Sequence, residues 1–160
     1  FIRDHPGYRI KAESGAVSIS DVKWTGMSAQ TTVNVSMDLK NYGFAAPFCM
    51  EAGFAILDSK GNVITESPIT GDVTNPDKWI GLPADYYTKM FDENLGNDYV
   101  GSALANIKSY NVSGSMTAQL GKGTYKVAFY LRNSAKQGAQ LANQIEYVNG
   151  YNVVYEFTVQ

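Results

Sequence analysis

One stretch constrains this chain more than any other. From Thr32 to Pro47 it reads TVNVSMDLKNYGFAAP. Val33, Val35, Met37 and Leu39 alternate without a break against Asn34, Ser36, Asp38 and Lys40. A period of two buries one face and wets the other, which is the pattern of a β-strand. A strand that shows one face to water belongs in an antiparallel sheet packed on one side. It stops at Asn41-Tyr42-Gly43 and a small-residue loop closed by Pro47.

The flanking sequence reads the same way. Gly7 to Ser14 predicts a first strand with Tyr8, Ile10 and Ala12 on one face, turned by Ser14-Gly15. Ala16 to Gly26 predicts a second strand with a fault. Val17 and Ile19 share one parity, Val22 and Trp24 the other, so a β-bulge or break is expected near Ser20-Asp21. Trp24 falls on the buried parity and is expected in the core. Gly53 to Asp58 is a continuous apolar run suited to a central strand. Asp58 to Asn62 is a turn signal, and Val63 to Glu66 returns as the partner strand. A further strand leads to Leu120, and Gly121-Lys122-Gly123 turns it into the alternating run Gly123 to Asn133. Ala135 to Gly150 is polar. Asn152 to Gln160 predicts a last strand with Val153, Tyr155, Phe157 and Val159 inward.

The pattern dissolves from Pro68 to about Gly101. This stretch holds three of the five prolines and carries Trp79, Tyr86, Tyr87, Phe91 and Tyr99. Structureless segments of that length inside a domain usually carry function or hidden structure, and Tyr86 to Leu95 suits a short helix. The expectation is an all-β fold: one domain over residues 1–160, an antiparallel β-sandwich of about eight to ten strands, jelly-roll or immunoglobulin-like, with a long loop insertion around 68–101. A closed barrel is the alternative.

Composition excludes several function classes. The 160 residues suit one core, and the net charge of −2 offers no basic excess for nucleic acid or an anionic membrane surface. No apolar run reaches the roughly 18 residues of a membrane-spanning helix. Cys49 is the single cysteine, so an intrachain disulfide is excluded. The opening FIRDHPGYRI carries no leader pattern, and we expect a domain excised from a longer protein.

Catalytic motifs do not emerge. The single histidine is His5, and Cys49 beside an apolar strand reads as a buried, inert thiol. Acids are abundant, but no spacing singles out the carboxylate pair that glycoside hydrolysis needs. His and Cys are too few for a transition-metal site. Asp92 to Asp98 is acidic and turn-rich without EF-hand spacing; a structural calcium ion there is weighed against a solvated loop. Gly121-x-Gly123 lies in a hairpin turn and not before a helix, so it is no phosphate loop. Sugar rings, by contrast, stack their C–H faces on flat side chains. Trp79, Tyr86 and Tyr87 lie in the proline-bounded stretch, with Asn75, Asp77 and Asp85 close by in sequence.

Several short motifs occur in a particular order. They are His5-Pro6-Gly7-Tyr8-Arg9, Asn41-Tyr42-Gly43-Phe44-Ala45-Ala46-Pro47, Asp77-Lys78-Trp79, Leu120 to Tyr125, Leu141-Ala142-Asn143 and Gly150-Tyr151-Asn152. Together they resemble an uncharacterised bacterial β-sandwich domain that follows TIM-barrel-like domains in exported proteins of the glycoside hydrolase type. The spacing around Asp77 and Trp79 and the long Ala84–Ser109 insertion depart from that pattern. The resemblance implies an ancillary domain beside a glycosidase-like partner and carries no assigned activity.

The expected function is therefore a non-catalytic carbohydrate-binding module of a secreted, extracellular polysaccharide-degrading enzyme. Trp79, Tyr86 and Tyr87 would stack on a plant-type β-glycan, and Asn75, Asp77 and Asp85 would bond its hydroxyls. Expected partners are a polysaccharide or oligosaccharide and the catalytic domain of the same chain, with no nucleic acid, no membrane, and no cofactor beyond the calcium option. The alternative is a structural accessory domain that packs on the catalytic barrel without binding ligand. A small β-sandwich hydrolase ranks third.

Overall fold

The alternating stretch is the middle strand of a sheet. The computed structural model describes residues 9–42, 51–74, 89 and 107–160. Within them β1 spans Ile10–Thr25, β2 Ser28–Asn41, β3 Glu51–Leu57, β4 Val63–Ile69, β5 Ser109–Gly121, β6 Gly123–Arg132, β7 Glu146–Val148 and β8 Tyr151–Val159. A 3-10 turn covers Asp72–Thr74. β1, β2 and β5 form a three-stranded sheet with β2 in the centre. The other sheet has the order β4-β3-β6-β8-β7. Every pairing is antiparallel. The two sheets pack on each other as an all-β sandwich, as expected.

The core follows from the alternation. Val33, Val35, Met37 and Leu39 of β2 are buried, facing Phe54 and Ile56 of β3 and Val127, Phe129 and Leu131 of β6 in one apolar cluster. The Phe54 and Phe129 rings meet at 5.5 Å in a tilted arrangement. β3 and β6 are buried on both faces, which explains their near-continuous apolar runs. Ala55, Leu57, Ala128, Tyr130, Tyr151 and Val153 make a second cluster on the far side of the five-stranded sheet. Along β4 and β5 the sheets close tightly. A Cβ on Gly114 of β5 would stand 2.9 Å from Phe54 Cδ2, so only a missing side chain permits that approach.

Five expectations need correction, one of them Val153, which was expected inward but packs in the cluster on the far side of the five-stranded sheet. Ser14-Gly15 is no turn: β1 runs straight through it, and Gly15 pairs with Met37. The parity fault near Ser20-Asp21 is a bulge as read, with one extra residue between the Ser20 and Lys23 pairings. A second bulge was not foreseen. Ala12 pairs with Leu39 and Ser14 with Asp38, so Glu13 is the extra residue. Trp24 has the inward parity beside Ala29, yet it is 44% exposed. It stands on an edge strand one pair from the hairpin end, so it has a neighbouring strand on one side only. Pro68 belongs to β4, paired with Gly53, and not to a loop; an edge strand tolerates the missing N–H. Tyr155 pairs with the inward Val127 but is 40% exposed, for a reason given below.

Candidate functional site

The sandwich is open along its β1 and β8 side. A cleft of about 560 Å³ lies between β1 residues Ala12 to Val17, the segment Asn143 to Ile145, and Val154 and Tyr155 of β8, with Met37 at its floor. This volume falls in the range of small-ligand sites. Tyr155 is half-exposed because its ring lines this opening instead of the sealed core. Ile145, opposite β1, is 59% exposed.

A short crossing segment builds the cleft. Ala139 N–H donates to Leu131 O at 2.6 Å, anchoring the segment on the five-stranded sheet. Leu141 N–H donates to the buried Asn152 Oδ1 at 2.7 Å. Asn152 Nδ2 donates to Phe129 O at 3.2 Å and Ala139 O at 3.0 Å, so its amide saturates three buried backbone groups. The segment then reaches the other sheet. Ala142 N–H donates to Ile10 O at 2.8 Å. Asn143 accepts from Ala12 N–H at 2.9 Å and donates to Ala12 O at 2.8 Å, as a neighbouring strand would.

The polar side chains at the β1 bulge are tied to partners on the outer face of the three-stranded sheet, and those partners, Tyr42, Asp38 and Asn111, do not line the cleft. Glu13 is the bulged residue, and a bulge re-aims a side chain out of the strand's alternation. Tyr42 O–H donates to Glu13 Oε1. That bond, with smaller contributions from burial and the carboxylate's charge, pushes the Tyr42 phenol above its ordinary pKa. Ser14 Oγ donates to Asp38 Oδ2 at 2.8 Å and Asn111 Nδ2 to Asp38 Oδ1 at 2.9 Å; the Asn111 bond first, then Ser14, hold that carboxyl below its usual range. The cleft thus combines one exposed aromatic face, apolar Ile145, Val17 and Val154, and polar Glu13, Ser14, Asn143 and Gln144. A half-exposed aromatic residue beside polar residues at one opening suits a flat, hydroxyl-bearing ligand. An added β-strand suits it less: β1 carries two bulges, and Asn143 already covers the Ala12 backbone.

A second polar cluster lies on the far side of the five-stranded sheet. Arg132 Nε donates to Glu51 Oε2 at 3.0 Å, and its terminal nitrogens reach both oxygens of Glu66 at 3.5 and 3.4 Å. Its guanidinium stacks 4.2 Å from the Tyr130 ring centre. Tyr151 O–H donates to Glu66, and Lys136 Nζ to Glu51 at 2.8 Å. Burial opposes the charge of Arg132, but the bonds from Glu51, Tyr151 and Glu66 outweigh it and raise its pKa. Burial first, then the Glu66 bond, raises Tyr151. These groups satisfy one another across β3, β4, β6 and β8. This is a mutually satisfied brace in which Arg132 is mostly covered while Glu51 and Lys136 stay exposed to solvent.

Asn75, Asp77, Trp79, Asp85, Tyr86 and Tyr87 lie outside the described residues, as do His5, Cys49 and the Asp92–Asp98 segment. Among the described residues no group of three or more His, Cys, Asp or Glu is placed to hold a metal ion. Nor is any described helix long and apolar enough to cross a membrane. Glu13, Asn143, Gln144, Ile145 and Tyr155 were not singled out from the sequence as a site. Asn143 and Asn152 did stand in the motifs that carry the family resemblance, and here they hold the cleft together.

No family model matches the chain, and neither does any curated protein. Among solved structures, one described as the X-ray structure of Northeast Structural Genomics Consortium target SoR45 is similar over 95% of this chain and 85% of its own. The identity is 9% and the TM-score 0.41, too distant to inform function.

Proposed function

We propose that this domain is a non-catalytic carbohydrate-binding module, and that the cleft between β1 and β8 takes part of an oligosaccharide chain. The single observation that supports this reading is the cleft itself, where the half-exposed Tyr155 shares one opening of about 560 Å³ with Asn143, Gln144 and Ile145. The reading extends to a plant-type β-glycan and a secreted polysaccharide-degrading parent enzyme. Trp79, Tyr86 and Tyr87 provide a further stacking surface in this proposal, with Asn75, Asp77 and Asp85 beside it.

The test is a pull-down of the protein on insoluble cellulose, xylan and mannan, backed by affinity gels with soluble β-glucans. Retention lost in Tyr155→Ala, with the circular dichroism spectrum kept, supports the cleft. Retention lost in Trp79→Ala alone moves the site to the 75–87 stretch. No retention on any glycan rejects the carbohydrate reading.

One observation favours the accessory-domain alternative. Met27, at the tip of the β1–β2 hairpin, is 92% exposed beside the half-exposed Trp24. Two large apolar side chains at one tip suit contact with a neighbouring domain.

A further inference from the structure

Lys11 of β1 and Lys40 of β2 stand directly opposite each other. Their neighbours Ile10, Leu39 and Asn41 are buried and Ala12 packs against the core, so both lysines face outward from the three-stranded sheet. Like charges directly opposite on paired strands are unfavourable unless something offsets them. A third cation is held beside them. Asn41 Oδ1 accepts from Arg9 N–H at 3.0 Å, and Tyr42 N–H donates to Arg9 O at 2.7 Å, which carries the β1–β2 pairing one residue further. The Tyr42 ring centre lies 5.7 Å from Lys11 Nζ. The carboxylates on this face are engaged by other groups: Glu13 by Tyr42 O–H, and Asp38 by Ser14 and Asn111. Among the described residues none forms an ion pair with Arg9, Lys11 or Lys40. In a chain of net charge −2 this is a local basic cluster against the overall balance.

The cluster adjoins the cleft. Lys11 immediately precedes Ala12, which lines the cleft, and β1 is the edge strand along that opening. We propose that Arg9, Lys11 and Lys40 form a subsite for the carboxylate of an acidic β-glycan, a uronate borne as a branch on a chain seated in the cleft. This inference rests on the carbohydrate reading above and names the class of glycan. An anion between two opposed ammonium groups converts their repulsion into attraction, which a neutral sugar does not do. Lysine and arginine offer only donors, and their bonds to a carboxylate are charge-assisted. Selectivity for acidic chains then comes from charge complementarity at the rim of the cleft.

The experiment is calorimetric titration of the intact protein with a linear xylo-oligosaccharide and with the same oligosaccharide carrying a glucuronate branch, at low and at high salt. It is repeated on the double variant Lys11→Gln with Lys40→Gln. Lys122→Gln is the control, in the turn after Gly121 at the opposite end of the sheet. Circular dichroism checks that the variants keep their fold. The proposal expects the acidic chain to bind about threefold or more tighter than the linear one at low salt, and this preference to fade at high salt. The double variant should lose the preference and Lys122→Gln should keep it. Equal affinity for the two chains, or a preference that survives in the double variant, overturns the proposal while leaving carbohydrate binding standing. A preference lost equally in Lys122→Gln also overturns it, because net charge alone then accounts for it. Binding of neutral cello- or manno-oligosaccharides with neither xylo-chain bound overturns it as well. Failure of every glycan to bind overturns the carbohydrate reading, and this inference with it.

Discussion

Asn152→Ala should damage this fold more than any exposed substitution of similar size. The Asn152 side chain is fully buried and serves Leu141 N–H, Phe129 O and Ala139 O. Alanine leaves these three backbone groups without that partner, in a space too small and too enclosed to rehydrate freely. A buried polar group stripped of its partner costs about 1–3 kcal/mol, more than the bond's net worth. Some relaxation of the crossing segment recovers part of this, so we expect about 3 kcal/mol in total. For a chain of this size each kcal/mol moves the melting temperature by roughly 2–4 °C, giving a drop of roughly 6–12 °C. Calorimetry or thermal circular dichroism reads it directly. Asn152→Asp refines the test. It keeps an acceptor for Leu141 N–H but turns a carboxylate towards two carbonyl oxygens. Burial raises such a carboxyl's pKa above its unfolded value. Its stability is then present at low pH and lost as pH rises through the folded-state value, so the variant should be weaker at about pH 7 than at about pH 4 relative to the natural chain. A melting temperature within about 2 °C of the natural chain in Asn152→Ala would refute the reasoning.

Two further outcomes follow from the same geometry. Gly53→Ala puts a Cβ 2.6 Å from Ser67 O and into the Tyr130 ring, so overpacking should cost about 1–3 kcal/mol in urea unfolding; an unchanged midpoint would contradict it. Glu51 is held below its usual pKa, chiefly by Lys136 and then Arg132; Asp38 by Asn111 and Ser14; Asp58 by the Asn62 backbone and side chain. Depressed carboxyls stabilise the fold above their unfolded pKa and lose that contribution as pH falls through the folded value. Urea midpoints should therefore decline on acidification below the ordinary carboxylate range, and a flat profile there would argue against these pairings.

The fold was legible wherever burial was one-sided and uninterrupted. β2 announced itself because its apolar and polar residues alternate, and β3 because it is buried on both faces. β1 was misread as two strands because bulges reset its parity at Glu13 and again after Ser20, and periodicity cannot distinguish a bulge beside a glycine from a turn. The β8 register carries an extra residue at Val154, which puts Val153 on the far side of its sheet and leaves Tyr155 at the open edge. The cleft was not legible for a different reason. Its walls come from residues 12–17, 143–145 and 154–155, brought together by the Asn143 bonds to Ala12 across more than a hundred residues of chain, with Asn152 bracing the crossing segment locally. No local spacing encodes that meeting. The aromatic stretch was conspicuous in sequence for its composition, whereas Tyr155 and Ile145 are ordinary residues until the topology brings them to one cleft.

The most direct measurement of the central claim is the affinity of the intact protein for neutral β-glycan oligosaccharides, compared between the natural chain and Tyr155→Ala. Tyr155 is exposed enough that its loss should leave the fold standing, which circular dichroism verifies. If the cleft is the binding site, the missing ring should weaken binding by about tenfold or more. An affinity unchanged in Tyr155→Ala, with the natural chain binding measurably, would contradict the account and remove the cleft as the site.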